Sequence, residues 1–502
     1  MLLNLTNYFY CKVFISVGFS VFFLSGCGSD TEDSGFIDFY NASANSPAVH
    51  LTLDEDLDDD DDDEVEITYG AVRYGKTLKN QSVPSQKYYY ELAWQDDEDS
   101  KLRKDLDLIS EGQLSVRDDE ITLVVMSGDL PHQDATVFNI PIIDDDDDQD
   151  DDLFNLRFLN VVDYDSPLDI YISEHDETFS EAKFVTSIHY LDLSDNFKFE
   201  EDRYIFYITE PGKSEVIFES EEISYPYTNQ YVLSVRRNPG VGSSPFVMDN
   251  IGSTRVNEYQ AVDDEAKIRF YNGIQRNQLM EDYNGSISLT SDISELDVPL
   301  ASNLSIGEFS DQFVVRKGDY HVSLMDGETN EVLLANQLVT IPKNTDRTVF
   351  YYLIEEWVDD DEDGDFDEDG DGVVDETEAK IKTIIVQNST ARRVQEHEIK
   401  MLNLAYSEDF SRVTFYFVKN DEIVETAGTK RQTNIGTSTT ATLLNNTYEV
   451  YVIAWIDNNE IILDSLLLTL NEESPELYLL LEIDEHAPTG YKMSLHNQLN
   501  GD

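Results

Sequence analysis

The chain has 502 residues and a formal net charge of −69, with 103 acidic and 34 basic side chains. A single hydrophobic core rarely grows beyond about 250–300 residues, so the length predicts several domains. Hydrophobic residues make up 40% of the chain and aromatic residues 11%, which is enough to build cores and argues against a disordered protein. The charge argues against nucleic acid and anionic lipid as partners, because both would be repelled, and it favours cations.

The first 26 residues predict a targeting segment. Residues 13–24 are apolar, but the stretch is too short to cross a bilayer, which needs about 20 residues. Residues 24–27 read Leu-Ser-Gly-Cys, which resembles the lipobox of bacterial lipoproteins. This resemblance implies cleavage before Cys27, lipid attachment to Cys27 and a membrane anchor. Gly28 follows the cysteine where an Asp commonly retains lipoproteins in the inner membrane, so an outer membrane lipoprotein of the bacterial cell envelope is expected. A plain secretory signal is the alternative.

Four segments of five residues share one pattern and predict an internal repeat. Each alternates apolar and polar side chains and ends in Asn, as expected of a half-buried strand that enters a turn. A Tyr that opens a second apolar alternation follows each Asn at a nearly constant distance, which indicates a tandem array. The Asn landmarks are Asn41, Asn160, Asn272 and Asn403, and the Tyr landmarks are Tyr88, Tyr204, Tyr320 and Tyr448.

The pattern inside each repeat predicts an all-β fold, a tandem array of four immunoglobulin-like antiparallel β-sandwich domains. About seven short strand patterns recur per repeat, and no segment has the period of an amphipathic helix of three turns. The expected divisions are a signal peptide (1–26), the lipidated cysteine with its tether (27–35), repeat 1 (36–143), an acidic linker (144–152), repeat 2 (153–260), repeat 3 (265–390) and repeat 4 (398–502).

Strand patterns and acidic runs alternate along the chain. Two runs of carboxylates, at 54–64 and 144–152, contain no Gly to turn the chain around an ion, which favours solvated spacers over cation sites. The strands expected in repeat 1 cover residues 49–53, 65–69, 88–94 and 121–126. The late strands of repeats 2 to 4 cover residues 231–235, 349–354 and 477–481. A last apolar segment closes each repeat, at 137–143, 246–248, 381–387 and 491–495.

Repeats 1 and 2 resemble a known family of envelope modules. The resemblance rests on the opening strand that ends in Asn41, the Asn-Ala-Ser-Ala turn at 41–44, the Ile-Thr-Tyr-Gly segment at 67–70 and the strand opened by Tyr88. These features are similar to domain-of-unknown-function family 4397, which occurs as repeated modules in bacterial envelope lipoproteins. The resemblance implies an architecture and a location, and it brings no catalytic residues.

Repeat 3 contains an insert at 358–380 that the other repeats lack. Residues 367–378 resemble the twelve-position calcium loop of EF-hands, with carboxylates at positions 1, 3, 5, 9 and 12 and Gly at position 6. Calcium binds six to eight oxygens, and alternate residues of such a loop turn inward around it. The predicted ligands are Asp367, Asp369, Asp371, the carbonyl of Val373, Asp375 and Glu378. The preceding residues Asp359, Asp361 and Asp363 repeat the pattern without a closing Glu, as in thrombospondin-type calcium repeats. A solvated acidic loop is the alternative.

Two further patterns are better explained by structure than by chemistry. Residues 70–77 match the phosphate-loop pattern G-x-x-x-x-G-K-[ST], but the residues after Thr77 have no helical period and soon reach Pro84, so a nucleotide site is not expected. The aromatic residues of 88–94 could place rings on both faces of a sheet and stack on sugars, but core packing explains most of them.

These patterns predict a non-enzymatic, lipid-anchored envelope protein that is structural or binds a protein or glycan partner, with a loop stiffened by calcium. The basis is repetition without a catalytic cluster: no zinc-type His spacing and no G-x-S-x-G elbow occur. The alternative is an envelope hydrolase with an active site built from loops.

Overall fold

The computed structural model describes residues 34–56, 65–95, 102–143, 152–164, 166–262, 265–281, 283–291, 300–358 and 377–498. These residues form 34 β-strands and two short 3-10 helices, Arg103–Asp105 and Gln278–Met280. The strands lie in separate sheets of four or five strands, so the predicted all-β fold of repeated β-sandwiches is confirmed. In this part of the chain, no helix has the length and apolar character needed to cross a membrane.

Repeats 1 and 2 each fold into two facing sheets. The sheets of repeat 1 have the strand orders β4-β1-β7-β8 and β3-β2-β5-β6, and those of repeat 2 have β12-β9-β16-β17-β18 and β11-β10-β13-β14, with β15 beside β13. The strands of repeat 1 are β1 (Ser34–Asn41), β2 (Val49–Asp54), β3 (Glu66–Thr68), β4 (Lys76–Pro84), β5 (Lys87–Trp94), β6 (Asp107–Ser115), β7 (Glu120–Ser127) and β8 (Asp134–Pro141). The strands of repeat 2 are β9 (Leu153–Asn160), β10 (Leu168–Glu174), β11 (Lys183–Ile188), β12 (Phe197–Glu200), β13 (Arg203–Thr209), β14 (Val216–Glu219), β15 (Ile223–Ser224), β16 (Gln230–Arg237), β17 (Phe246–Ile251) and β18 (Val256–Tyr259).

Repeats 3 and 4 have the strand order of repeat 1. Their sheets are β22-β19-β25-β26 and β21-β20-β23-β24 in repeat 3, and β30-β27-β33-β34 and β29-β28-β31-β32 in repeat 4. The strands of repeat 3 are β19 (Glu265–Gly273), β20 (Ser286–Ser291), β21 (Ala301–Ser305), β22 (Phe313–Arg316), β23 (Gly318–Asp326), β24 (Val332–Ile341), β25 (Asp346–Trp357) and β26 (Thr377–Gln387). The strands of repeat 4 are β27 (Glu396–Asn403), β28 (Arg412–Val418), β29 (Thr429–Asn434), β30 (Ser438–Leu444), β31 (Thr447–Ile456), β32 (Asn459–Thr469), β33 (Leu477–Ile483) and β34 (Tyr491–Asn497).

The four Asn landmarks occupy equivalent positions. Each lies at the end of the first strand of its repeat, as the last residue in repeats 1, 2 and 4 and the second-last in repeat 3. Each is fully buried and lies in a parallel ladder between that strand and a late strand of the same sheet. In each repeat the Asn side-chain oxygen accepts a hydrogen bond from the backbone N–H two residues later, at 2.9 to 3.1 Å. This is the local turn that Asn forms readily, so the landmark is a turn residue, as the sequence predicts.

A second contact recurs beside each Asn. Its backbone carbonyl accepts a hydrogen bond from a residue with positive φ in a neighbouring loop. Three of these residues are glycines, which adopt this left-handed conformation without steric cost, and repeat 2 uses a leucine instead. The donors are Gly75, Leu191, Gly307 and Gly436, with φ of 67°, 57°, 79° and 67°.

The four Tyr landmarks are also equivalent. In each repeat the Tyr hydroxyl donates to the backbone carbonyl four residues earlier, at 2.8 to 3.0 Å. This closes the corner before the strand and resembles the tyrosine corner of β-sandwich domains. The acceptors are the carbonyls of Pro84, Glu200, Arg316 and Leu444.

The first strands are more buried than their alternation predicts. Ile37 and Phe39 point into the core of repeat 1, whereas Asp38 and Tyr40 point to the opposite face, yet Asp38 is only 2% exposed and Tyr40 is fully buried. The expectation of a half-buried strand is therefore wrong for this segment. The physical reason is that a neighbouring repeat covers the second face.

Candidate functional sites

The predicted lipidation and calcium sites lie almost entirely outside the described residues. Cys27 lies there, as do the proposed calcium ligands from Asp359 to Asp375. Glu378 is described: it lies on β26 opposite Glu356 of β25, its side chain is 60% exposed, and a carboxylate oxygen is 3.6 Å from Lys380 Nζ. Within the described ranges no group of three or more His, Cys, Asp or Glu side chains is placed to hold a metal ion.

The phosphate-loop pattern folds as part of the sandwich. Lys76, which would contact phosphate in a nucleotide site, begins strand β4 rather than a helix. The N–H of Gly75 donates to the carbonyl of Asn41 and thus serves the turn described above. The pattern therefore lacks the helix N-terminus that phosphate binding requires.

The aromatic residues of β5 divide between the two faces of their sheet. Tyr88 and Tyr90 are buried in the core of repeat 1, while Tyr89 and Trp94 are half-buried. The outer face of this sheet carries a charged cluster instead of a row of rings: Arg103 contacts Glu91 at 2.7 Å and also Asp54. Core packing, rather than sugar stacking, accounts for the rings at this place.

The feature that covers the first strands is an apolar interface between repeats 1 and 2. The outer face of the β4-β1-β7-β8 sheet packs against the outer face of the β12-β9-β16-β17-β18 sheet. Its buried members are Tyr40, Leu123, Val125, Ile140, Leu159, Val161, Val232 and Ile251. Eight buried apolar side chains fix the two repeats against each other, since separating them would expose this surface to water.

Polar side chains in the same interface are paired. The Tyr40 hydroxyl donates to Asp249 at 2.7 Å, and Arg236 donates to the same carboxylate at 2.7 Å and also contacts Glu258. Burial raises the pKa of Tyr40 well above its usual value and raises the pKa of Asp249. The Arg236 guanidinium also stacks 4.6 Å from the Tyr74 ring centroid and donates to the Tyr74 hydroxyl at 3.0 Å. A buried charge is tolerated when it is paired in this way.

Repeats 3 and 4 pack through the equivalent sheets. The buried members of this second interface are Tyr271, Phe350, Tyr352, Ile384, Val386, Leu402, Leu404, Tyr478 and Leu480. The Tyr271 hydroxyl donates to Glu482 at 2.7 Å, and Glu482 also accepts from Ser494 at 3.1 Å. Arg269 stacks 4.5 Å from the Phe309 ring centroid and donates to the carbonyls of Asn497 and Gln498. The chain thus contains two rigid pairs of sandwiches.

The junction between repeats 2 and 3 differs from both interfaces. No hydrophobic cluster of described residues bridges these two repeats. Asn344 of repeat 3 instead exchanges side-chain hydrogen bonds with Asn238 of repeat 2, at 2.8 and 3.1 Å, and accepts from the N–H of Gly242. Lys343 forms an ion pair with Glu221 at 2.8 Å and donates to the carbonyl of Ala261. A polar contact of this kind holds domains less firmly than an apolar one.

The sequence contains a signal for this pairing, although the alternation within any single strand does not reveal it. The residue before each Asn landmark is Tyr in repeats 1 and 3 and Leu in repeats 2 and 4. Each Tyr lies in an interface and donates to a carboxylate of the next repeat, and each Leu packs in the same interface. The alternation therefore marks which repeat is the first and which is the second member of a pair.

One buried carboxylate stands apart from both interfaces. Glu476, at the start of β33, is fully buried and accepts from the backbone N–H groups of Arg393 and Glu398. Burial raises the pKa of Glu476 to about 7. Its hydrogen bonds go to backbone groups that hold β27 and the segment before it, which is a structural role.

Comparison with known proteins does not assign the chain to a family. No family model matches it, and no curated protein matches it. Among solved structures, the TIE protein of Bacillus anthracis is 10% identical, with 91% of this chain and 76% of that chain covered and a TM-score of 0.14. A candidate cell adhesion protein from Bacteroides fragilis is 11% identical, with 48% of this chain and 99% of that chain covered and a TM-score of 0.14. The major pilin subunit of Bacillus cereus is 8% identical, with 66% of this chain and 99% of that chain covered and a TM-score of 0.13.

TM-scores this low carry no argument about function. The class of the chain is therefore defined by its own architecture, a tandem β-sandwich protein made of two rigid pairs.

Proposed function

We propose that the chain is a non-enzymatic protein of the bacterial cell envelope, held to the outer membrane by lipid on Cys27, that extends two rigid β-sandwich pairs outward to bind a partner. The observation that supports this most is the repeated pairing. Across the apolar interfaces, Tyr40 donates to Asp249 and Tyr271 donates to Glu482, and within repeat 2 Arg236 also pairs with Asp249. These contacts therefore stabilise an array, as a spacer or a display scaffold requires.

The position of the first strand suits an anchored array. Strand β1 begins at Ser34, so Cys27 is separated from the first sandwich by a short tether of at most about 25 Å, at roughly 3.5 Å per residue. The first strand residues, Ser34 and Gly35, fall in the stretch expected as tether. This arrangement would keep repeats 1 and 2 close to the membrane and repeats 3 and 4 farther away.

Replacement of the anchor cysteine tests the location. In the Cys27→Ala variant expressed in a Gram-negative host, the protein should leave the membrane fraction, because one polypeptide without acyl chains has no other anchor in this proposal. A Cys11→Ala variant is the matched control and should remain in the membrane fraction. Membrane retention of the Cys27→Ala protein would contradict the proposal, and so would turnover by the wild-type protein in a broad hydrolase screen.

We also propose that the insert of repeat 3 binds calcium. The ladder between β25 and β26 pairs Trp357 with Thr377 and so brings the two ends of the insert together, as a closed ion-binding loop needs. Glu378 stands at the first rungs of this ladder, where its exposed carboxylate is close to the end of the loop. In the sequence, the predicted ligands from Asp359 to Asp375 fall between the residues of these two strands.

Calorimetric titration of the full chain with calcium tests the loop. The wild type should release or absorb heat at a dissociation constant of about 10⁻⁴–10⁻³ M, the range of extracellular calcium modules. An Asp371→Ala, Glu378→Ala variant should lose this heat, because two ligands are removed. An Asp146→Ala, Asp148→Ala variant removes the same charge from the acidic linker and should titrate like the wild type. Equal loss in both variants would mean that calcium interacts with the general negative charge and not with the loop.

A further inference from the structure

The second sheet of repeat 4 has an outer face that no other described part of the chain covers with an apolar cluster. Strand β31 is central to this face, and its side chains alternate between the core and the outside. Tyr448, Val450 and Val452 point into the core, so Tyr451, Ile453 and Trp455 point outward together. Trp455 is 61% exposed, which is unusual for the largest apolar side chain.

The neighbouring strands extend this outer patch. In the ladder between β28 and β31, Tyr416 lies opposite Tyr451 and Thr414 lies opposite Ile453. On the other side, Ile462 of β32 lies opposite Ile453 and is 49% exposed. Adjacent strands are about 4.8 Å apart, so these side chains are neighbours. Ile453 and Thr414 are themselves buried, and the accessible surface is formed by Trp455, Ile462 and the half-buried rings of Tyr416 and Tyr451.

A groove runs beside the exposed indole. Its volume is about 310 Å³, at the lower end of the range of small-ligand clefts, and Trp455 and Ile453 form its apolar side. Arg412, Thr414 and Gln432 line its polar side together with Asp409 and Ser411, and Phe410 completes the lining. Among the residues that the structure describes, no hydrogen-bond or ion-pair partner of the Arg412, Thr414 and Gln432 side chains is found, so their polar groups remain available to a ligand. The groove therefore combines a flat ring with free donors and acceptors.

The charge of this face differs from that of the chain. The ionisable residues on this face and around the groove are two basic and three acidic, Arg412, Lys430, Asp409, Glu449 and Glu460, so their formal net charge is −1, whereas the whole chain carries −69. A polyanion would be repelled by the protein as a whole, and a second copy would bring another charge of −69 against the face. A polycation would be attracted to the acidic surface elsewhere. An uncharged ligand is what this face accommodates best.

We propose that this face binds a neutral polysaccharide. A sugar ring has an apolar C–H face, which stacks on the Trp455 indole, and a rim of hydroxyls, which pair with the donors and acceptors of Arg412, Thr414 and Gln432. The rings of Tyr451 and Tyr416 extend the contact along a polymer. This inference rests on the proposed function, in which the array binds a partner, and it names the class of ligand and the site.

Affinity electrophoresis of the full chain, purified in detergent, tests this site. The probes are a mixed-linkage glucan, a mannan, a dextran and, as an anionic comparison, polygalacturonate. At least one neutral polymer should retard the wild-type protein. Trp455→Ala should weaken the apparent affinity about tenfold or more, as loss of a central aromatic contact does, and Gln432→Ala should weaken it less. Trp357→Ala removes a tryptophan of similar exposure, 60%, from repeat 3 and should leave retardation unchanged.

Each result has a defined meaning. The proposal is overturned if no neutral polymer retards the wild type, if only polygalacturonate does, or if Trp455→Ala and Trp357→Ala behave alike. Gln432→Ala keeps the indole and the core intact, so it reports on the groove even if the Trp455→Ala protein proves unstable. If the Cys27→Ala protein stays in the membrane fraction while a neutral polymer retards the wild type specifically, the proposed lipid anchor is refuted and the glycan site is supported.

Discussion

Tyr40 and Tyr271 occupy the same position of the repeat, but the carboxylates that they contact differ in their other partners. Asp249 keeps two hydrogen bonds from Arg236, at 2.7 and 3.2 Å, in addition to the bond from Tyr40. Among the described residues, Glu482 accepts one further side-chain hydrogen bond, from Ser494 at 3.1 Å, besides the bond from Tyr271. Burial raises the pKa of Glu482 as it raises that of Asp249, so the difference between the two carboxylates lies in their hydrogen-bond partners. The two interfaces therefore depend on their tyrosines to different degrees.

Tyr271→Phe should lower the free energy of unfolding of the second pair by about 1–3 kcal/mol, because the half-buried carboxylate of Glu482 loses one of two hydrogen-bond partners. Tyr40→Phe is the matched change in the first pair and should cost less, because Arg236 still neutralises Asp249. Urea unfolding of both variants measures the difference. A larger loss for Tyr40→Phe would show that the guanidinium does not compensate.

Glu476 predicts a pH dependence of stability. Its folded-state pKa of about 7 lies above the value of about 4.3 expected in the unfolded chain. The stability that this group contributes is therefore fully present below about pH 4.3 and is lost as pH rises through 7. The loss amounts to about 4 kcal/mol by this shift. Glu476→Gln, which cannot titrate, should flatten the free energy of unfolding between pH 5 and 8. An unchanged slope would assign the dependence to other groups.

At the scale of the element, alternation identified the strands that have one face in a core. The predicted segments 49–53, 88–94 and 121–126 correspond to β2, β5 and β7, and those at 231–235, 349–354 and 477–481 correspond to β16, β25 and β33. The edge strands β3 and β8 overlap the predicted segments 65–69 and 137–143, but the edge strands β4 and β6 were missed, because they bury little: Val83 is the one buried residue of β4, and Leu114 that of β6. Such strands are held by ladder hydrogen bonds rather than by side-chain burial, so single-strand periodicity has little to detect.

The left-handed residue beside each Asn gives a test of the turn. Gly307→Ala adds a Cβ that meets no atom nearer than the Tyr271 hydroxyl at 3.9 Å, so its effect reports on backbone conformation alone. With φ at 79°, the substitution should cost about 1–2 kcal/mol. Gly70→Ala adds a Cβ in open space without positive φ and should change stability by much less. Chemical denaturation compares them, and equal effects would contradict the strained-turn interpretation.

At the scale of the whole molecule, the sequence predicted four copies of one sandwich but not their pairing. The pairing depends on side chains that the fold brings together across long distances in the chain, such as Tyr40 and Asp249. A copy-by-copy comparison treats Tyr40, Leu159, Tyr271 and Leu402 as variants of one apolar position. Only the structure shows that Tyr40 and Leu159 face each other's repeats in one interface, and that Tyr271 and Leu402 do so in the other. The calcium ligands were likewise proposed from spacing, and they lie outside the described residues except for Glu378.

The polar junction at Asn344 predicts two independent unfolding units. Calorimetry of the full chain should show two transitions, one for each pair, because the apolar interfaces couple repeats within a pair, whereas the described contacts between the pairs are hydrogen bonds and an ion pair. Val125→Ala should lower only one transition and Leu480→Ala only the other, each by deleting buried interface atoms, at a cost of about 1–5 kcal/mol. If either substitution moved both transitions together, the pairs would be one cooperative unit.

The parallel ladder between β1 and β7 has a mechanical consequence. The chain enters the first sandwich along β1, which is flanked on one side by β4 and on the other by β7. Tension applied at the N-terminus acts along the axis of β1, so it shears the rungs on both flanks at the same time rather than peeling them away in succession. The same geometry recurs at β9, β19 and β27. Each sandwich is thus built to bear load at the point where force enters it.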